Sequence, residues 1–300
     1  MTTEAAKVAP AASAQTRRAP GFLRRFPLHF VIIALMVLWL IPTIGLFMNS
    51  LRPADQITQS GWWTAIFHPS EWTIENYQHV LAQPNITDGF VNSIFISIPA
   101  TIIPIMVAAF AAYAFAWMPF PGRNILFVAV VGLLVVPLQS TFIPILQLFG
   151  PRGINIAGSF LSVWLAHTAY GLPFAIFLLR NFMGELPKEV FESAAIDGAS
   201  PVTAFFRLAL PMTVPAIAAL AIFQFLFVWN DLLVALVFLG AQNPANAPLT
   251  VVVSNLVSSL GGGWQFLAAA AFVTMAVPLL VFLALQRYFV RGIVGGSVKG

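Results

Sequence analysis

The hydrophobic positions of this chain gather into six stretches, residues 28–47, 90–118, 125–149, 160–179, 213–239 and 266–285. Each is about 20 residues or longer, the length at which an α-helix crosses a hydrocarbon layer. The pattern predicts an all-α membrane protein with six transmembrane helices. Prolines interrupt the longer stretches, Pro99 and Pro104 among them. Packed neighbours can satisfy the carbonyls that a proline leaves free, so kinks are expected there.

Composition agrees with the pattern. Of 300 residues, 59% are hydrophobic and 8% charged, against roughly 25% charged in an ordinary soluble domain. A water-facing surface cannot be built from such a chain, and one membrane domain is the simplest count. The 28 Phe and 8 Trp suit lipid-facing helices and interfacial belts. A pI near 9.9 would suggest nucleic acid if the basic residues clustered on a polar domain, and they do not. With no cysteine, disulfides, thiolate metal sites and cysteine nucleophiles are excluded, and nothing follows about compartment.

Charge then orients the spans. Lys7, Arg17, Arg18, Arg24, Arg25, Arg123, Arg180, Lys188, Arg207, Arg287, Arg291 and Lys299 fall on one side, and only Arg52 and Arg152 on the other. By the positive-inside rule both termini are cytoplasmic. The first apolar stretch is too long for a signal peptide and no small-residue cleavage site follows it, so it reads as a retained span. Residues 1–27 form a cytoplasmic, largely disordered tail, residues 28–290 the transmembrane domain, and residues 291–300 a cytoplasmic C-terminal tail. The longest outside connection, residues 51–89, holds Trp62, Trp63 and Trp72. These read as interfacial anchors, with a docking surface for an external partner as the alternative.

The inside connection of about residues 181–212 holds four of the ten acidic residues, Glu185, Glu189, Glu192 and Asp197. It reads as two short helices around a turn. Pro187 suits a first helical position, Glu189 sits near the positive end of the helix dipole, and Gly198 suits the left-handed residue that ends a helix. Ser200-Pro201 reads as an N-cap and N1 pair opening a second helix that ends near Leu210-Pro211. Glu189, Glu192 and Ser193 share one face; Val190, Phe191, Ala194 and Ala195 share the other. Such a helix fits a groove on a partner, or rests on the membrane surface, although a surface helix usually carries more than one basic residue.

The order Glu192-Ser193-Ala194, then Gly198, then Leu208-Ala209-Leu210-Pro211 resembles the EAA loop of ATP-binding-cassette (ABC) importer permeases, in spacing throughout. Ser193 stands where that family has Ala, and Leu208 where it has Ile. Ala195-Ile196-Asp197-Gly198-Ala199, Phe227-Val228-Trp229-Asn230-Asp231, Arg291-Gly292 and Val298-Lys299-Gly300 narrow the resemblance to the carbohydrate branch similar to the maltose permease. It implies the type I importer permease fold in a bacterial cytoplasmic membrane. It also implies a coupling loop of Glu189, Glu192, Ser193, Ala194, Ala195, Asp197, Gly198, Leu210 and Pro211 that seats on a separate ATPase. Implied partners are a second, similar permease, two ATPase subunits, an external solute-binding protein, a sugar and membrane lipid. ATP and Mg belong to the ATPase.

Inside the fifth stretch, Asp231 would be costly in lipid unless paired or hydrated. Gln224 lies about 20° from it on the helix wheel, so the two can line one interior stripe with Asn230 adjacent. Gln224, Trp229, Asn230 and Asp231 are candidate solute-pathway residues, the carboxamides and carboxylate for sugar hydroxyls and the indole for stacking. The competing role is interhelical hydrogen bonding. Taken singly, Asn92, Tyr113, Gln139, Gln147 and His167 favour that packing role.

No Walker phosphate loop is present, since Lys7, Lys188 and Lys299 lack the glycine spacing, and there is no HExxH or GxSxG. The chain is expected to be no enzyme, with no metal or cofactor of its own and no nucleic acid partner. The leading reading is a permease subunit that imports a sugar or oligosaccharide, leaning to α-glucosides such as maltose or trehalose, with glycerol phosphate an alternative solute. An ion-coupled secondary transporter using Asp231 is the competing mechanism, but there is one acid and no repeat. A membrane enzyme or assembly factor lacks convergent polar residues.

Overall fold

A computed structural model describes residues 21–239, 244–256 and 263–297. Residues 1–20 and 298–300, which carry most of the N-terminal tail expectation and the Val298-Lys299-Gly300 match, lie outside them. By internal contacts the chain divides into two compact units, residues 1–46 and 47–300. The first is most of helix α1 (Gly21–Ser50), which starts ahead of the apolar stretch and carries Pro27 and Pro42.

The second unit opens with α2 (Ala54–Gln59), α3 (Thr64–Phe67) and α4 (Glu75–Leu81). Arg52 organises them. It is fully buried, and its guanidinium donates to the carbonyls of Gln56 (2.9 Å) and Ser60 (3.2 Å) and to the Ser60 hydroxyl. The Asn76 amide donates to the carbonyls of Ser50 (2.9 Å) and Arg52 (2.8 Å), and the Trp72 indole to that of Ala65 (2.8 Å). Trp72 thus pins the connection internally, while Trp63 and Phe67 are exposed.

The remaining helices follow: α5 (Ile86–Trp117), α6 (Arg123–Gly132), α7 (Phe142–Phe149), α8 (Phe160–Gly184), α9 (Lys188–Ile196), α10 (Pro201–Ala204), α11 (Leu210–Trp229), α12 (Leu233–Phe238), α13 (Leu249–Ser254) and α14 (Trp264–Ser297). Among the described residues, five helices are long and apolar enough to cross a membrane, or six if one bent pair is a single span. α5 is the central helix, packed most extensively on α8 and also on α11, which packs on α14 as well. Its buried Ala100, Ala108, Ala109 and Ala112, with Ala166 and Ala175 of α8, are the small residues that let helices approach closely without water to drive them together.

Two expected spans differ in shape. Residues 125–149 are not one helix: Arg123–Val135 and Leu138–Phe149 meet at 99°. Pro137 explains this, because the residue before a proline is pushed to extended backbone and Val136 adopts φ −71°, ψ 120°. The stretch 213–239 also breaks, between Trp229 and Leu233. Asp231 turns its carboxylate forward over the start of α12 to accept the Ala235 N–H (3.2 Å), and the Thr250 hydroxyl donates to the Asp231 carbonyl (2.7 Å). A short polar side chain that bonds nearby backbone competes with helix continuation.

Candidate functional site

The acidic loop folds largely as its turn residues dictate. Pro187 takes the position just before α9, one earlier than expected. After α9, Gly198 has φ +80°, its N–H donates to the Ala195 carbonyl (3.1 Å), and the Ala199 N–H donates to that of Ala194 (2.9 Å). That is the Schellman closure, which needs a left-handed residue at Gly198. The Ser200 hydroxyl accepts the Thr203 N–H (3.2 Å), with Pro201 next.

The helix does not end at Leu210-Pro211. Pro201–Trp229 runs as one helix through a π turn over Phe205–Ala209, where the Leu210 N–H reaches back to the Phe205 carbonyl. Pro211 has no N–H to give, and the wider turn ahead of it relieves the clash that would otherwise stop the helix. Leu210 and Pro211 therefore belong to the base of a span.

Only one turn of α9 meets the spans. Phe191 is its one buried residue, and its ring stacks on that of Trp117 at 3.9 Å and 21°. Ala194 is half-buried. Glu189, Glu192, Ser193, Asp197 and Gly198 are exposed, and so are Val190 and Ala195 of the apolar face expected to meet a partner's groove or the membrane surface. Ile196 (86% exposed) and Val202 (65%) are exposed apolar residues of the same loop.

The second group of residues lies where α11 meets α8. Gln224 is buried, and its amide donates to the Ala100 carbonyl (3.2 Å), an acceptor left free because Pro104 four residues on has no N–H. Gly171 makes room: a Cβ there would stand 2.6 Å from Gln224 Oε1. Beside this contact is a cavity of about 310 Å³ lined by Tyr170, Gly171, Phe174, Leu220, Phe223, Gln224 and Phe227. One turn away, His167 Nε2 lies 3.8 Å from Asp231 Oδ2, with the Phe227 ring edge-on to the imidazole. The Tyr170 hydroxyl is 3.0 Å from that of Thr141. Gln224 and Asp231 thus both face α8.

The other two candidates do not. Trp229 is 3% exposed, stacked on Phe225 and edge-on to Phe90, with its indole N–H donated to the Thr274 carbonyl (3.1 Å). That is a packing position, not the sugar-stacking one expected. Asn230 is exposed and its amide returns to the Leu226 carbonyl (2.8 Å). Among the described residues no group of three or more His, Asp or Glu side chains is placed to hold a metal.

A family described as binding-protein-dependent transport system inner membrane component matches residues 21–295. The chain belongs to that family. The osmoprotective compounds uptake permease protein of Synechocystis sp. is 54% identical over 287 residues, which cover 95% of each chain. The alpha-glucoside transport system permease protein of Rhizobium meliloti is 41% identical, covering 92% of this chain and 99% of the relative. In fold, a chain of the crystal structure of a bacterial ABC transporter involved in import of the acidic polysaccharide alginate matches with TM-score 0.72 at 17% identity, covering 91% of this chain and 99% of that one. The chain is thus an inner membrane component of a binding-protein-dependent transport system, and its relatives' names differ in the solute they give.

The sequence placed the loop's turn and cap and an interior Gln224, and it singled out none of Tyr170, Phe174 or Phe223 beside that glutamine. Tyr170, Phe174, Phe223 and Phe227 are ordinary span residues by composition. A signal was available in Gly171, a glycine amid bulky residues of a span, which commonly marks close approach.

Proposed function

We propose that this permease moves an α-glucoside-class sugar into the cytoplasm of a bacterium by alternating access, driven by ATP and Mg on two ATPase subunits that dock on Glu189, Glu192, Ser193, Ala194, Ala195, Asp197 and Gly198. A second permease and an external binding protein complete the machine, and both termini and the loop face the cytoplasm. The observation that carries this reading is the loop itself. It is a nine-residue helix held by one aromatic stack and closed by a left-handed glycine, with carboxylates and Ile196 turned outward. A short, rigid, exposed helix seats in a groove and moves as a lever.

For the solute path, the cavity offers aromatic rings for the apolar faces of a sugar, and one carboxamide whose remaining groups suit hydroxyls. Gln224 lines it, and Asp231 lies against His167, about one turn of α8 from the lining residue Tyr170. No lining residue is cationic, which disfavours glycerol phosphate. An osmoprotective compound is the competing solute, on the strength of the 54% identical relative. Uptake of labelled trehalose into proteoliposomes holding the complete complex, competed by unlabelled maltose, sucrose or glycine betaine, separates the two. Competition by betaine and not by the glucosides would remove the sugar.

A further inference from the structure

The loop grips a single helix at two places. Phe191 stacks on Trp117, the last residue of α5, whose indole N–H donates to the Met183 carbonyl near the end of α8 (2.9 Å). Phe205, in the π turn on the other side of Gly198, is buried against Phe110 (centroids 4.8 Å, 29°) and Tyr113 (5.3 Å, 60°). Phe110, Tyr113 and Trp117 are spaced i, i+3, i+7, so they form one aromatic face on the last turns of α5. The Phe191 and Phe205 rings both rest on that face, and the Phe206 ring meets it edge-on at Phe110. Near the middle of the same helix, about 25 Å from Trp117, Ala100 offers its carbonyl to Gln224 in the cavity wall.

We propose that the Phe110–Tyr113–Trp117 face of α5 is the receiver through which loop movement reaches the cavity, with Trp117 the positioning residue that fixes α9 to it. This rests on the importer reading above. Aromatic stacks in a dry core resist sliding and shift as units, so a rotation of α9 transmits to α5 as a rigid displacement. The π turn at Phe205 supplies compliance on the second arm, since π turns inside α-helices are less regular and recur at functional sites. α5 then carries the Ala100 carbonyl, and with it the Gln224 carboxamide, toward or away from the cavity.

The test uses the complete transporter in proteoliposomes and reads solute moved per ATP hydrolysed. Trp117→Ala is expected to retain the ATPase subunits and their hydrolysis while that ratio falls about fivefold or more, the low end of ordinary coupling free energies. Trp117→Phe, which keeps a ring and loses the bond to Met183, is expected to recover much of the ratio. A purely structural role would lower yield and thermal stability and leave the ratio of the assembled fraction unchanged, which overturns the proposal. If Trp117→Ala does not assemble, Phe191→Leu decides on the same readout, since it preserves apolar volume and removes the stack. A wild-type ratio there also overturns it. Absence of ATPase subunits from the wild-type preparation would instead refute the importer reading.

Discussion

Gly198 gives the sharpest lever on the loop, because its surroundings isolate backbone strain from packing. A Cβ at Gly198 would meet nothing of this chain within 4 Å, so replacement causes no collision inside the permease. What remains is φ +80°, which costs an ordinary L-residue about 1–2 kcal/mol and asparagine less. Proline is worse on two counts. Its φ is locked near −65°, and it removes the Gly198 N–H bond to Ala195 (3.1 Å), for a total of about 3 kcal/mol or more. α9 has nine residues, too few to be stable alone, so this cost falls on an element with little stability to spare. The expected order of uptake per ATP hydrolysed is Gly198 and Gly198→Asn highest, Gly198→Ala reduced, Gly198→Pro near zero. All four should insert equally in the membrane, as protease accessibility of the loops will report. Full uptake by Gly198→Pro would remove the turn from the lever.

Other substitutions test separate parts of the account. Gly171→Ala places a methyl against the Gln224 amide, and should raise KM for the solute while hydrolysis in detergent stays near wild type. Gln224→Leu leaves the Ala100 carbonyl without its partner, at a cost of about 1–3 kcal/mol, and should lower both thermal stability and solute affinity. Asp231→Asn keeps an oxygen to accept the Ala235 N–H and should retain ATP-driven uptake; loss of uptake together with a new insensitivity to a proton gradient would favour the ion-coupled alternative. Arg52→Met removes the guanidinium bonds to the Gln56 and Ser60 carbonyls and to the Ser60 hydroxyl. It should loosen residues 51–89, read as faster proteolysis there, with the long helices unaffected.

How much was legible in the sequence depended on range. The loop is written locally: Gly198, Ser200 and Pro201 act through their own backbone, and the turn and cap formed where those residues stand. The spans were legible as lengths but not as shapes. Val136-Pro137 is a local signal whose effect depends on whether neighbours re-satisfy the helix, and here the chain bends instead. At Leu210-Pro211 the same kind of signal is absorbed by a π turn and the helix continues. Polar residues in spans were the least legible. Gln224 and Trp229 look alike as candidates until distant partners are known, one meeting the Ala100 carbonyl beside a cavity and the other the Thr274 carbonyl inside a core. Residues separated by more than 40 positions decide such roles, and no local pattern encodes them.

The central claim is that the loop couples this permease to ATP hydrolysis performed elsewhere. Purification of the chain from its native membrane in mild detergent, followed by reconstitution and uptake assayed with and without internal ATP, tests it most directly. Co-purification of an ATPase subunit and uptake that stops on ATP depletion are the predicted results. Uptake that survives depletion, from a preparation containing no ATPase, would contradict the account.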